Sequence, residues 1–371
     1  MRQLSGRIAL PDGSVAKGRI SFDATISSIE PDAASSSDYI LPGFVDLQVN
    51  GSHGLDVMGA NADGVIEVAQ KLAREGTTAW LPTAITSPLD HIEKVHRTIA
   101  DAIEDQKRNA SSGARILGMH LEGPFISPMR LGAHPPLNLE PRGEAFERVV
   151  ALEHLKLLTL APELPGALDA IRRLISRGVA VSIGHTNATF NEAAAGIAAG
   201  ARMFTHLFNA MRPLHHRDPG VIAAALTDEV AMPAVIPDGV HVAPEILHLI
   251  YMTRGAQRMM LTTDKVSLAG ASSIASRKMG RATARSVDGA ARLEDGTLAG
   301  ATISMLEGAR VMIEKTGAAV GEIGLMAATN PATLLGHPDR GRLQPGAISD
   351  IIVLSEALEL KAVFLAGQEL N

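Results

Sequence analysis

Cysteine is absent from this sequence of 371 residues, and aromatic side chains make up only 3% of it. The lack of cysteine excludes disulfides and thiolate metal sites, so a bound metal ion must be held by His, Asp or Glu. No basic stretch interleaved with aromatic residues is present, and the formal net charge is −6. These absences argue against nucleic acid as a partner.

Long apolar runs are missing as well. No segment reaches the roughly 20 consecutive apolar residues that a membrane-spanning helix needs. The opening segment MRQLSGRIALPDG also lacks the apolar core of a secretory signal. We therefore expect a cytoplasmic protein with no membrane partner.

The chain is rich in apolar residues that can form a buried core. Hydrophobic residues make up 46% of the sequence and charged residues 20%, as is typical of folded globular proteins. Apolar strand-like segments alternate with amphipathic segments through the middle of the chain. The strand-like segments are GFVDLQV, TTAWLPT, RILGMHLE, KLLTLAPE, GVAVSIGH, ARMFTHLFN, AMPAVIPDG and RMMLTTD. The amphipathic segments include 62–75, 88–109, 164–176, 189–199 and 243–254.

This alternation predicts an α/β protein. Eight nearly continuous apolar strands with helical crossovers predict a closed (β/α)8 TIM-type barrel over residues 43–342. Short strands with turns in residues 1–42 and 343–371 predict one small β-sandwich module formed by both chain ends. A doubly wound open sheet is the structural alternative, but no glycine-rich phosphate loop follows the first strand.

Polar side chains stand at the ends of several predicted strands. In a barrel enzyme the carboxyl ends of the strands meet at one mouth, where the active site forms. Glu122, His185 and His206 end the third, fifth and sixth strands, and together they suit one divalent ion with positions left open for water. Asp264 ends the eighth strand, where it can take a proton from that water and return it to a leaving amine.

Taken singly, these residues have ordinary explanations. A histidine at a strand end is usually hydrogen bonded or solvated, Glu122 could cap the next helix, and Asp264 could be a loop carboxylate. Their joint placement at four strand ends is what indicates a metal site. Asp46 and Gln48 in the first strand, and His241 just after the seventh, are further candidates. Four histidines in helical or connecting segments are predicted to be structural or solvated: His91, His96, His154 and His248.

Nine short segments occur in order along nearly the whole chain. They are LPGFVDLQVNG (41–51), HLEGPFISP (120–128), LGAHP (131–135), LAPE (160–163), GHTNA (184–188), THLFNAM (205–211), DGVHV (238–242), TTD (262–264) and LAG (298–300). In these segments the chain resembles the N-acetylglucosamine-6-phosphate deacetylases of the amidohydrolase superfamily. The resemblance implies metal-dependent hydrolysis of the acetamide of N-acetylglucosamine 6-phosphate, which yields glucosamine 6-phosphate and acetate.

The resemblance also implies catalytic roles for individual residues. Glu122, His185 and His206 would be the metal ligands. Asp264 would be the general base and acid. His134 would polarise or orient the carbonyl group of the substrate.

Other residues would bind the sugar phosphate. His241 would contact the sugar, and Asn209 with the backbone of Ala210 would bind the phosphate. Arg217, which alone would be interpreted as a solvated loop cation, would bind the phosphate from a neighbouring subunit, and this implies a homodimer. Arginine suits that role because its planar group can donate two hydrogen bonds at once. Three further residues would complete the substrate site: Ala133, Leu298 and Gly300.

Gln48 and Asn50 stand at the first-strand positions where many amidohydrolases carry His-x-His. Amides are poor ligands for a transition ion, so we expect one tightly held divalent ion per subunit. Gln48 and Asn50 would instead orient water or hold the loop. Two imidazoles and a carboxylate favour zinc as the ion, with iron, manganese and cobalt as alternatives.

A few residues depart from the expected pattern. Small residues are expected where Lys265, Val266 and Ser267 stand. His53 is not a usual feature of the family and leaves an extra metal contact open. The loop HHRDPG also carries two adjacent histidines, His215 and His216.

Three alternative functions follow from these observations. N-Acetylgalactosamine 6-phosphate is a close alternative substrate, because the sequence does not reveal which orientation of one hydroxyl is bound. A Schiff-base aldolase could use Lys265, but it leaves Glu122, His185 and His206 unexplained. A sugar-phosphate binder without turnover is the third alternative, and the intact Asp264 argues against it.

Overall fold

A barrel of parallel strands forms the centre of the computed structural model, which describes residues 1–109, 113–271, 276–279, 282–287 and 289–370. Eight strands pair in chain order and in parallel around the barrel. They are Phe44–Val49, Thr77–Ile85, Met119–Glu122, Leu155–Leu160, Ala180–Ile183, Met203–Phe204, Met232–Val235 and Met260–Leu261. A short strand, Arg115–Ile116, pairs beside the second. The predicted (β/α)8 barrel is confirmed.

The first and eighth barrel strands meet at Lys265. Val49 and Lys265 form a parallel β-bridge. The carbonyl oxygen of Lys265 accepts hydrogen bonds from the backbone N–H groups of Asn50 (2.7 Å) and Gly51 (3.1 Å). This seam lies at the carboxyl ends of both strands, directly beside Asp264.

Helices pack around the barrel, and each of the five predicted amphipathic segments contains one. The longer helices are Ala62–Arg74, Leu89–Arg108, Gly143–Val150, Ala167–Ser176, Phe190–Ala199, Gly220–Thr227, Pro244–Arg254 and Met305–Thr316. The helical stretch after them consists of Val320–Gly324, the π-helical turn Leu325–Thr329 and Asn330–Leu334. Their apolar faces join the main hydrophobic core.

Local capping signals account for several helix ends. The side chain of Thr189 accepts from the backbone of Glu192, whose carboxylate reaches back, and this capping box starts the helix Phe190–Ala199. Ser304 and Glu307 do the same for Met305–Thr316.

Strands from both chain ends form one seven-stranded sheet. Its strands are Arg2–Ala9, Val15–Phe22, Ile26–Pro31, Tyr39–Pro42, Ile351–Leu354, Leu360–Leu365 and Gln368–Glu369. The two ends join where Tyr39–Pro42 pairs with Ile351–Leu354. The strand of Phe22 is the fourth neighbour of the strand of Phe364 in the sheet. In a flat sheet the two strands would therefore be about 19 Å apart. Their ring centroids are nevertheless 5.3 Å apart, so the sheet folds over its own core as a sandwich does.

A four-stranded antiparallel sheet lies between the eighth barrel strand and the helix Met305–Thr316. Its strands are Ser276–Met279, Ala282–Val287, Ala290–Leu293 and Leu298–Ala301. This sheet was not among the elements predicted from the sequence. The signal was present, because Asp-Gly pairs at 288–289 and 295–296 are typical of tight hairpin turns. The last strand is joined to the barrel by a bridge between Ala301 and Lys265.

Within the described ranges, no helix combines the length and the apolar character needed to cross a membrane.

Candidate active site

Glu122, His185 and His206 converge at the carboxyl mouth of the barrel. Oε1 of Glu122 lies 3.1 Å from Nε2 of His185 and 2.9 Å from Nε2 of His206. The two Nε2 atoms are 3.1 Å apart. All three side chains are buried. Among the residues that the structure describes, they are the one group of three or more His, Asp or Glu side chains close enough to hold a metal ion.

The donor chemistry of this triangle fits a cation. Nδ1 of His185 lies 2.9 Å from the carbonyl oxygen of Arg130, which only accepts, so Nδ1 carries the proton of the neutral ring. Nε2 of His185 then directs a lone pair at a carboxylate oxygen of Glu122, which cannot donate either. Burial lowers the pKa of His185 to about 4, so the ring is neutral near pH 7. A divalent ion between the three atoms would remove this conflict.

The size of the triangle also fits. Two ligands about 2.0–2.1 Å from a tetrahedral zinc ion lie about 3.3 Å apart. The edges of the triangle, 2.9–3.1 Å, are close to that separation.

Two amide side chains connect the metal triangle to Asp264. Oδ1 of Asp264 accepts hydrogen bonds from Nδ2 of Asn50 (2.7 Å) and Nε2 of Gln48 (3.0 Å). The same nitrogen of Gln48 also lies 3.1 Å from Oε1 of Glu122. Burial, with the nearby charge of Glu122, raises the pKa of Asp264 to about 7. A carboxyl group with this pKa can both accept and donate a proton near neutrality.

Three of these side chains enter the mouth from strained backbone. His185, His206 and Asp264 follow their strands with φ values of 47°, 30° and 49°. This left-handed region is unfavourable for residues other than glycine, and such conformations persist only where the surrounding structure holds them. Each turn ends the strand and redirects its side chain to the centre of the mouth.

His134 approaches Glu122 from the other side. The hydroxyl of Thr86 lies 2.8 Å from Nδ1 of His134, and the N–H of Thr86 donates to the same nitrogen at 3.4 Å. Nδ1 is therefore an acceptor, and the ring proton is on Nε2. That nitrogen faces the pocket, 3.5 Å from Oε2 of Glu122.

A pocket of about 840 Å³ opens over these groups. Most of the predicted site residues line it: Asn50, Glu122, Ala133, His134, His185, His206, Asn209, Ala210, His241, Asp264, Leu298 and Gly300. Gln48 is fully buried beneath this lining. His91 lines the pocket too, although its helical position had suggested only a structural or solvated side chain. Arg217 does not line the pocket of its own chain; its guanidinium is exposed and lies 2.8 Å from Nε2 of His216.

His241 is held by a neighbouring carboxylate. Its Nδ1 donates to Oδ2 of Asp238 at 2.6 Å. Burial disfavours the Asp238 carboxylate, but the bonds from His241 outweigh burial and lower the pKa of Asp238. This hydrogen bond fixes the Nδ1 proton and the orientation of the His241 ring.

A chain of buried hydrogen bonds lies one layer beneath the metal triangle, and the sequence analysis missed it. His120 contacts the carbonyl oxygen of Leu47 through Nδ1 (3.0 Å) and Oγ1 of Thr159 through Nε2 (2.8 Å). The hydroxyl of Thr205 joins Thr159 (2.8 Å) and Ser182 (2.5 Å). The carbonyl of Leu47 can only accept, so Nδ1 of His120 donates to it and Nε2 of His120 accepts from Thr159. It follows that Thr205 donates to Thr159 and that Ser182 donates to Thr205. The signal was the spacing of His120 and Glu122, which places both on the interior face of one strand.

Asp46 and Lys265 lie outside the pocket lining. The buried carboxylate of Asp46 accepts from the hydroxyls of Thr262 (2.8 Å) and Thr263 (2.5 Å), so it holds the eighth strand against the first. The ammonium of Lys265 pairs with Glu75. This arrangement gives the Schiff-base alternative no support.

His53 packs against the same carboxylate as Lys265. Its Nε2 lies 3.8 Å from Oε1 of Glu75, and its Nδ1 lies 2.7 Å from the hydroxyl of Ser52. His53 is not part of the metal-binding group found among the described residues.

The fold and the site together define a metal-dependent hydrolase of the barrel type. The sequence model of the amidohydrolase family matches residues 39–370. The chain belongs to the amidohydrolase family.

Characterised relatives are similar over most of their length. The N-acetylgalactosamine-6-phosphate deacetylase of Escherichia coli O157:H7 is 35% identical over 359 residues, which cover 93% of this chain and 92% of that protein. The N-acetylglucosamine-6-phosphate deacetylase of Danio rerio is 38% identical over 352 residues, which cover 89% of this chain and 84% of that protein.

Solved structures agree with this result. The N-acetylglucosamine-6-phosphate deacetylase of Thermotoga maritima has a TM-score of 0.92 at 30% identity and covers 99% of both chains. The Mycobacterium smegmatis enzyme, in a mutant bound to N-acetyl-D-glucosamine 6-phosphate, has a TM-score of 0.90 at 30% identity and covers 99% of this chain and 98% of that one.

Proposed function

We propose that this protein hydrolyses the acetamide of N-acetylglucosamine 6-phosphate to glucosamine 6-phosphate and acetate. The observation that carries the proposal is the convergence of the buried triangle of Glu122, His185 and His206 with Asp264 in one pocket. The substrate class follows from the similar proteins, which are N-acetylglucosamine-6-phosphate deacetylases, one of them bound to N-acetyl-D-glucosamine 6-phosphate.

Glu122, His185 and His206 would hold one divalent ion per subunit, for which we propose zinc, with iron, manganese or cobalt as alternatives. When bound, the ion supplies Lewis-acid chemistry, which polarises an amide carbonyl and lowers the pKa of water. The amides Gln48 and Asn50 hold carboxylates rather than a second ion, which supports a single metal per subunit.

Asp264 is the proposed general base and acid. Its raised pKa lets the carboxylate take a proton from the attacking water near pH 7. The same group then passes the proton to the amide nitrogen as the C–N bond breaks. This transfer is required, because an amide nitrogen is a poor leaving group until it is protonated. Hydrogen bonds from Gln48 and Asn50 to Oδ1 keep the carboxyl group of Asp264 oriented during both proton transfers.

His134 would bind the carbonyl oxygen of the substrate. Its Nε2 carries the ring proton and can donate a hydrogen bond to that oxygen. His241, whose ring is oriented by Asp238, would contact the sugar. Asn209 and the backbone of Ala210 would bind the phosphate.

The rest of the proposed substrate site is formed by Ala133, Leu298 and Gly300. Gly300 has a φ of 101°, and a Cβ built there would lie 2.7 Å from the carbonyl oxygen of Asp264. Only glycine therefore allows the strand Leu298–Ala301 to approach the general base this closely.

Arg217 would bind the phosphate from a second subunit of a homodimer. Its exposure, and its position outside the pocket of its own chain, support a role across an interface. A planar guanidinium can give the phosphate two charge-assisted hydrogen bonds.

We further propose that residues 43–342 form the catalytic unit and that 1–42 with 343–371 form a supporting module. A cytoplasmic location fits a substrate that is a charged sugar phosphate.

N-Acetylgalactosamine 6-phosphate is the second candidate substrate, favoured by the relative from Escherichia coli O157:H7. The test is amine release from both N-acetylhexosamine 6-phosphates and from unphosphorylated N-acetylglucosamine. We expect the highest kcat/KM with N-acetylglucosamine 6-phosphate. A higher value with the galacto isomer would reassign the substrate, and no release from any of the three would overturn the proposed function.

A further inference from the structure

Lys265 is a buried cation that the proposed reaction does not use. Its side chain is 1% exposed. An ammonium group removed from water is costly unless an opposite charge is close. Glu75 supplies that charge, since one of its carboxylate oxygens contacts the ammonium of Lys265.

Lys265 and Asp264 point to opposite sides of the barrel wall. Asp264 lines the pocket, whereas Lys265 reaches Glu75 at the carboxyl end of the helix Ala62–Arg74. That helix end carries partial negative charge, which adds to the attraction for a cation. His53 approaches the second carboxylate oxygen of Glu75, at 3.8 Å.

The backbone of Lys265 is held in place by its neighbours. Its carbonyl oxygen accepts from Asn50 and Gly51, and its N–H donates to Oγ1 of Thr263 at 3.1 Å. It also forms β-bridges with Val49 and Ala301. Lys265 thus joins the first barrel strand to the last strand of the inserted sheet.

Asp264 needs such support because its backbone is strained. Its φ of 49° is unfavourable for a residue with a side chain. On the preceding side, Thr262 and Thr263 are bound to the buried Asp46. On the following side, the buried ammonium of Lys265 forms an ion pair with Glu75 at the end of the helix Ala62–Arg74.

We propose that Lys265 and Glu75 are positioning residues for the general base. Their ion pair anchors the Lys265 backbone, and this holds Asp264 in its strained conformation and aims its carboxylate at the reacting atoms. The proposal rests on the proposed function. Neither Lys265 nor Glu75 belongs to the metal triangle or lines the pocket, so we expect the loss of the pair to affect kcat more than substrate or metal binding.

The test compares Lys265→Met and Glu75→Gln with the unaltered protein in amine release from N-acetylglucosamine 6-phosphate. A displacement of a catalytic group by about 1 Å can cost about 100-fold in rate. We expect kcat to fall about 10- to 100-fold in each variant, with KM changed less than about 3-fold and with the metal content per chain unchanged. The double variant should be no slower than the slower single variant, because the two residues act as one unit.

Arg254→Met is the matched control. Arg254 is 3% exposed and bonds the carbonyl oxygens of Asp228 and Ala231, away from the pocket lining. We expect this variant to lower the melting temperature and to leave kcat unchanged well below it. If Lys265→Met and Glu75→Gln behave like this control, the pair is purely structural and the proposal is overturned.

Two features of the design keep the result interpretable. The side chain of Glu75 is 24% exposed, so Glu75→Gln tests the pair even if Lys265→Met does not fold. An unaltered protein that releases no amine would contradict the proposed function. An active unaltered protein with equally active variants would contradict only the positioning role.

Discussion

The side-chain amide of Asn50 donates a 2.7 Å hydrogen bond to Oδ1 of Asp264, although 214 positions separate the two residues in the chain. This bond crosses the seam where the first barrel strand meets the eighth. In a site that held a second metal ion, a ligand of that ion would be needed near this position. Here the amide of Asn50 binds the carboxylate of Asp264, so the contact that closes the barrel also positions the proposed general base.

Replacing Asp264 by Asn should remove the proton transfer while leaving the pocket almost unchanged in shape. We expect kcat to fall by about 100- to 10,000-fold, the range for loss of a general acid–base group. Amine release under single-turnover conditions measures this, and calorimetric titration with N-acetylglucosamine 6-phosphate should show binding within a few-fold of the unaltered protein. Turnover equal to that of the unaltered protein would refute the role of Asp264.

Arg217→Ala tests the phosphate contact from a second subunit. A hydrogen bond to a charged group contributes about 1.5–3 kcal/mol, so KM for the phosphorylated substrate should rise about 10- to 150-fold. KM for unphosphorylated N-acetylglucosamine should not change. Arg177→Ala, which removes an exposed arginine after the helix Ala167–Ser176, is the control and should behave like the unaltered protein.

A mixing experiment shows whether Arg217 acts across an interface. A variant with Arg217→Ala and a variant with Asp264→Asn are combined in equal amounts and assayed at a substrate concentration well below KM, where we expect each variant alone to have low activity. Mixed dimers would contain one complete site, so activity should return. Mixtures that stay inactive after subunit exchange would show that Arg217 does not act across the interface.

His120→Phe should break the hydrogen-bond chain beneath the metal triangle. The carbonyl of Leu47 and the hydroxyl of Thr159 would lose a partner in a buried environment, at about 1–3 kcal/mol for each group. We expect the free energy of unfolding to fall by about 2–6 kcal/mol, as measured by urea denaturation.

His248→Phe is the control for that measurement, because His248 is exposed and makes a single 3.2 Å contact with the carbonyl oxygen of Thr316. Its unfolding free energy should change by less than about 1 kcal/mol. Equal stability of the two variants would show that the hydrogen bonds of His120 do not stabilise the barrel.

Much of the fold could be predicted because a parallel barrel repeats one local pattern. Barrel strands such as Met232–Val235 are apolar throughout, and each polar residue that ends such a run is conspicuous. Glu122, His185, His206 and Asp264 could be found in this way, since the topology alone brings strand ends together.

Contacts that depend on side-chain direction could not be predicted. Glu75 and Lys265 lie 190 positions apart, and neither residue type nor spacing indicates that they pair. His120 is buried because it has hydrogen-bond partners on two other strands, and the sequence alone does not identify those partners. Arg217 is the converse case, because its proposed role rests on the sequence motif and not on a contact with the pocket of its own chain.

The proposed single metal site is tested most directly by a titration of metal-free protein with zinc. Amine release from N-acetylglucosamine 6-phosphate is measured at each addition. One ion held by Glu122, His185 and His206 predicts a rate that rises linearly to one equivalent per chain and then stays constant. His206→Asn should bind less zinc in parallel equilibrium dialysis. Full activity of the metal-free protein, or a rate that keeps rising to two equivalents, would contradict the account.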